Sequence, residues 1–269
     1  MDHFIPVDRA RIHYQVRGSG PVLFISQSGE GDANRTVDLA GHLDDRFTVI
    51  TYDRRGLSRS ILDEPTAPVS LRQHAADAVA VLRQVTDQPA TMLGLSLGAA
   101  IGLHILAEHP GVVGTLIAHE PIALGFLDAR DADTARQELA GIVEVHRDSG
   151  WRAAAAQVAR VLGINPHDQQ VEPGITAFPF TDQRAANFEF FLANDLAAVL
   201  DDTLTLADVA PDARIIPAVG RSSPPDGFDY LAGLALAEHL GAVAERFPGG
   251  HNGNLTHPRA FASKVRDLL

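Results

Sequence analysis

The sequence predicts an α/β protein: a mostly parallel central sheet with helices on both faces and one helical insertion late in the chain. Three observations carry this. Short apolar runs alternate with helical patterns between residues 12 and 118. Several of those runs are apolar throughout, as strands buried on both faces are. The alternation stops after Pro121 and returns near Arg214.

Residues 12–16 alternate with period two and end in the turn cluster Arg17-Gly18-Ser19-Gly20-Pro21. Residues 22–25 and 47–52 read as buried strands, with a helix near 35–43 between them. Ser70 and Gln73 form a capping-box pattern. They open a helix whose apolar positions Leu71, Ala75, Ala78, Val79 and Leu82 keep helical spacing. A strand over 91–95 and a helix over 97–108 follow, and Pro110 ends that helix. Residues 112–118 form the next strand. From 122 to 206 the patterns are helical, over 134–147, 151–162 and 184–200, and no strand is expected. The loops Asn165-Pro166-His167 and Glu172-Pro173-Gly174 separate them. A strand over 214–219, a helix over 230–240, a strand over 242–247 and a helix over 258–269 complete the chain. The expected organisation is a core of residues 1–121 and 207–269, with 122–206 as an inserted helical cap.

Composition narrows the function. A formal net charge of −12, with no run of Arg or Lys, disfavours nucleic acid and anionic membrane surfaces as partners. The absence of cysteine excludes disulfides, thiolate catalysis and cysteine metal sites. No stretch of about 18 apolar residues suggests a membrane span. Residues 1–20 lack the apolar segment of a signal peptide, so a cytoplasmic location is expected. A small-molecule substrate is the expected partner, with no cofactor and no metal. The sequence does not decide the oligomeric state, a homodimer included.

The chemistry is carried by Gly94-Leu95-Ser96-Leu97-Gly98, between an apolar strand and a long helix. A sharp turn in that setting lifts a serine hydroxyl above the sheet edge. The alternative is a plain turn with Ser96 as a helix N-cap. A neutral serine also needs a base. Of twelve histidines, His251 stands out because it follows the last strand, in the loop begun by Pro248-Gly249-Gly250. His257 is second, although its place before Pro258 favours a local structural role. Arg54 and Arg55 could meet an anionic substrate, although their loop position favours a structural role.

These motifs together resemble the α/β-hydrolase superfamily. Tyr52-Asp53-Arg54-Arg55-Gly56-Leu57-Ser58-Arg59-Ser60 looks like its loop after the fourth strand, and Gly249-Gly250-His251-Asn252 like its histidine loop. The resemblance implies an α/β-hydrolase fold with a cap inserted after strand 6. The usual acid would follow the seventh strand, but Ser223 stands there, and Asp226 comes only after two prolines. Glu120, ending Leu116-Ile117-Ala118-His119-Glu120, is the preferred acid, with Asp226 as the alternative. An acid after strand 6 is similar to the zearalenone-lactonase group. The resemblance also implies an oxyanion hole from the backbone of Leu97 and of Ser28, with Gln27 next in line. Gln27, Trp151, Phe188 and Phe191 are the candidate substrate-binding residues. The expected reaction is hydrolysis of an ester or lactone of a medium-sized, largely apolar substrate. Carbon–carbon bond hydrolysis, cofactor-free oxygenation and a hydrolase-fold ligand receptor stay open as alternatives.

Overall fold

The computed structural model describes residues 2–64, 67–165, 170–210 and 213–269. Pro166 and His167 of the expected loop lie outside the described residues. Among the described residues, eight strands are β1 (Asp2–Val7), β2 (Ala10–Arg17), β3 (Val22–Ser26), β4 (Thr48–Tyr52), β5 (Ala90–Leu95), β6 (Val113–His119), β7 (Ile215–Gly220) and β8 (Glu245–Phe247). They lie in the order β1-β2-β4-β3-β5-β6-β7-β8, and the pair Ile61–Leu62 adds a ninth, short strand against β2. Strands β1, β2 and β4 pair antiparallel. Strands β4, β3, β5, β6, β7 and β8 pair parallel.

Apolar residues at successive positions of the central strands feed two cores, because side chains alternate across a sheet. Phe24, Ile50 and Met92 join α2 (Leu71–Val85) and α3 (Leu97–Glu108) on one side. Leu23, Ile25, Val49 and Leu93 join α1 (Val37–Gly41) and Phe261, Ala262 and Val265 of the C-terminal helix on the other. This is why the strands read as unbroken apolar runs.

Between β6 and β7 the chain forms α4 (Ala129–Ser149), α5 (Trp151–Val161), α6 (Asp182–Phe190), a π-helical turn (Phe191–Asp195) and α7 (Leu196–Leu200). An isolated bridge from Gly125 to Thr205 ties the two ends of the segment together. Close approach fixes it to the sheet side: a Cβ on Gly56 would stand 2.3 Å from the Phe190 ring, and one on Gly29 2.9 Å from Phe191. Three helices lie beyond β7: α8 (Phe228–His239), α9 (Gly253–Thr256) and α10 (Pro258–Leu268).

Several expectations shift. Strand β1 was not foreseen, since Pro6 interrupts the strand pattern; proline is tolerated there because β1 is an edge strand. The helix expected over 35–43 divides into a 3-10 turn, Ala33–Thr36, and α1. The helix expected over 184–200 is broken by the π turn, which ends at the buried Asp195. The last strand is shorter than 242–247, and Val243 is exposed.

Candidate active site

Ser96 is the single residue between β5 and α3. Its backbone stands at φ +57° and ψ −114°, a strained conformation for a residue with a Cβ. Its N–H donates to the His119 carbonyl at 2.9 Å. Its side chain makes no capping bond to α3, so the hydroxyl is not spent as an N-cap. The flanking glycines have a steric cause. A Cβ on Gly94 would lie 2.5 Å from Cα of Ala99, and one on Gly98 would lie 2.0 Å from the Ser26 carbonyl.

Glu120 follows β6 with φ +46° and is fully buried. Its Oε1 accepts the Gly220 N–H at 2.8 Å, and its Oε2 lies 2.9 Å from Nδ1 of His251 in hydrogen-bond geometry. A second acid reaches the same nitrogen. Asp229, in the first turn of α8, places Oδ2 2.5 Å from Nδ1 as an ion-pair contact. All three side chains are buried. Burial by itself opposes the imidazolium, but the charge and hydrogen bonding of Asp229 and then Glu120 outweigh it and push the His251 pKa up to about 10. Burial likewise works against the Glu120 carboxylate, and the partnership with His251 overcomes it, so Glu120 is held below the usual carboxylate range. Glu120, Asp229 and His251 also form a group whose donor atoms lie within 4.8 Å of one another, close enough to hold a metal ion.

Leu97 opens α3, where an N–H has no partner within the helix. The loop after β3 is held by the buried guanidinium of Arg54, which donates to the carbonyls of Gln27, Ser28 and Gly29 at 3.4, 3.0 and 2.7 Å. In a trans peptide the C=O and the following N–H point in opposite directions. The Ser28 N–H is therefore turned away from Arg54.

Ser96 and His251 line one cavity of about 760 Å³, together with Gln27, Ser28, Trp151, Phe188 and Phe191. Trp151 stacks on Phe188 with ring centroids 5.9 Å apart, and Phe180 lies against both. Gln27 is tied back to Thr36 through a bond of 3.3 Å.

A strained serine at a strand–helix junction and a histidine from the last strand's loop thus face one cavity. Residues 22–264 match the model of the alpha/beta hydrolase family. The chain belongs to that family. It is therefore an enzyme, a hydrolase. It is 33% identical to the hydrolase YraK of Bacillus subtilis, over 98% of this chain and 94% of that one. It is 25% identical to 3-oxoadipate enol-lactonase 2 of Acinetobacter baylyi, over 93% and 88% of the two chains. An esterase structure from Exiguobacterium antarcticum superposes with a TM-score of 0.76 at 19% identity, covering 100% of this chain and 99% of that one. No helix among the described residues is long and apolar enough to cross a membrane.

The other sequence candidates do not line this cavity. Asp226 is exposed. His257 bonds its neighbour Thr256 at 2.9 Å. Arg54 is paired with Asp195 at 2.6 Å and Arg55 with Asp77 at 2.6 Å, both buried. Neither arginine is available to an anionic substrate. Asp229 escaped the sequence reading because an acid in a helix's first turn is ordinary. Its place just after the seventh strand, three positions beyond Asp226, was the only signal.

Proposed function

We propose that the protein hydrolyses an ester or lactone through an acyl-enzyme on Ser96. The observation that carries this is the strained Ser96 whose hydroxyl is unused by α3, on the cavity that also holds His251, with Nδ1 of that histidine held by Glu120. Ser96 Oγ attacks the carbonyl carbon and its proton passes to Nε2 of His251. The N–H groups of Leu97 and Ser28 stabilise the oxyanion. The carbon–oxygen bond then breaks, and the leaving oxygen takes the proton from Nε2. Water, activated by the same histidine, attacks the acyl carbon and releases Ser96. In a lactone the leaving oxygen stays tethered to the acyl group, and the product is a hydroxy acid.

Glu120 is the triad acid in this reading, as in the zearalenone-lactonase group, with Asp229 beside it. Residues 122–206 act as a cap over a core of 1–121 and 207–269, and the aromatic cluster around Trp151 gives the cavity its apolar wall. The enol-lactonase relative favours a lactone or a similarly activated ester.

The test is labelling with a fluorophosphonate, followed by a panel of esters and lactones. Label on Ser96 and repeated turnover support the proposal. Label on another serine, or uptake of oxygen with Ser96→Ala still active, removes it.

A further inference from the structure

The cavity's charge is out of keeping with the molecule's. Among the described lining residues are three arginines, Arg35, Arg152 and Arg184, and one carboxylate, Glu30. The chain as a whole carries −12. Glu30 is shared: Arg184 holds it with two nitrogens, at 2.6 and 3.0 Å, and Arg35 Nε lies 3.2 Å away. Arg184 spends its remaining nitrogen on the carbonyls of Phe178 and Pro179.

Arg35 is left over. Its side chain is only 14% exposed, and Nη1 is buried with no acceptor among the described residues. Its guanidinium carbon lies over the Phe178 ring, 4.3 Å from the centroid. A buried guanidinium with unmet donors is costly. Burial, only partly offset by Glu30 and made worse by Arg184, depresses its pKa. The group of two arginines and one glutamate carries one uncompensated positive charge.

We propose that Arg35 is a carboxylate-binding subsite, so that the enzyme's preferred substrate is a mono-anionic ester or lactone. The substrate has an apolar body and a carboxylate away from the scissile bond. A guanidinium attracts a carboxylate, and a single negative charge balances the cluster; Nε is taken by Glu30 and Nη1 is enclosed, so the carboxylate meets the part of the Arg35 side chain left open to the cavity. Low-dielectric aromatic walls strengthen the attraction. A neutral ester leaves Arg35 unmet. The sequence suggested Arg54 and Arg55 as the anion candidates; each has a carboxylate to itself or nearly so, whereas Arg35 shares Glu30 with Arg184 and keeps Nη1 without an acceptor among the described residues.

The inference rests on the acyl-transfer reading of Ser96, and two measurements keep the two apart. The first compares kcat/KM for mono-p-nitrophenyl glutarate and the neutral p-nitrophenyl pentanoate. Wild type should favour the anionic ester by about tenfold or more, and Arg35→Gln should remove most of that preference through KM. Arg35→Lys, which keeps the charge and loses the fork, should fall between. The second titrates mono-p-nitrophenyl glutarate into Ser96→Ala by calorimetry, with and without Arg35→Gln. Binding lost with Arg35→Gln supports the subsite even if neither ester is turned over, an outcome that would remove only the hydrolytic reading. Turnover of both esters with no preference, or a preference and binding indifferent to Arg35→Gln, overturns the subsite while leaving the hydrolase reading intact.

Discussion

Asp229 Oδ2 lies closer to Nδ1 of His251 than Glu120 Oε2 does, at 2.5 Å against 2.9 Å. One imidazole therefore faces two buried carboxylates, one just after β6 and one in the first turn of α8.

That pair sets the expected pH dependence. A base acts only when unprotonated, and the two acids hold the His251 proton up to about pH 10. The activity, kcat/KM, should therefore climb across the range above neutrality, with an acid limb well above that of an ordinary histidine. Asp229→Asn removes one negative charge, which lowers the histidine pKa. The limb should move to lower pH by about one unit or more. A pH–rate profile decides it; a limb that stays in place in Asp229→Asn rules out the role of that carboxylate.

The same geometry predicts that the acids back each other up. Loss of a lone triad acid costs about 10⁴-fold in kcat. Glu120→Gln should fall well short of that, because Asp229 still holds Nδ1. Glu120→Gln combined with Asp229→Asn should reach the full loss, and the exposed Asp226→Asn should be close to neutral. Steady-state kinetics of the three variants tests this. A full loss from Glu120→Gln alone would show that Asp229 contributes nothing.

Ser96→Ala should abolish fluorophosphonate labelling and lower kcat by about 10⁴- to 10⁶-fold, while thermal unfolding changes little. Removing a hydroxyl that makes no capping bond has no structural cost to offset. A variant that keeps most of its activity would exclude acyl-enzyme chemistry.

Arg54 carries a structural prediction. It bonds Asp195 and three carbonyls of the loop after β3, and Asp195 also meets His74 at 3.0 Å. Arg54→Met leaves a buried carboxylate and the loop carbonyls unpaired. Denaturant unfolding should show a loss of about 3–5 kcal/mol, the range for breaking a buried ion pair from one side. A loss below about 1 kcal/mol would show that the pair is not needed to hold the helical segment to the core.

Much of the site could be read along the chain because its residues sit at marked places. Ser96 lies between a strand and a helix, His251 lies beyond the last strand, and Glu120 ends a strand where the usual acid position holds Ser223. Local sequence also determined the strands buried on both faces and the helix that starts at Leu97, since apolar periodicity and glycine placement are local properties. Asp229 and Arg35 were not readable in this way. One looks like an ordinary helix-start acid and the other like a surface arginine, until folding gives each its neighbours. Glu120 and His251 stand 131 positions apart. Parallel pairing of β5, β6, β7 and β8 brings the chain ends of all four strands to one edge, and so brings Ser96, Glu120, Asp229 and His251 together. Which carboxylate touches the histidine, and which arginine must share its carboxylate, depends on packing between distant segments. The sequence determined the fold and the places of Ser96 and His251 at strand ends; the tertiary structure alone decided the second carboxylate beside His251 and the charge of the cavity.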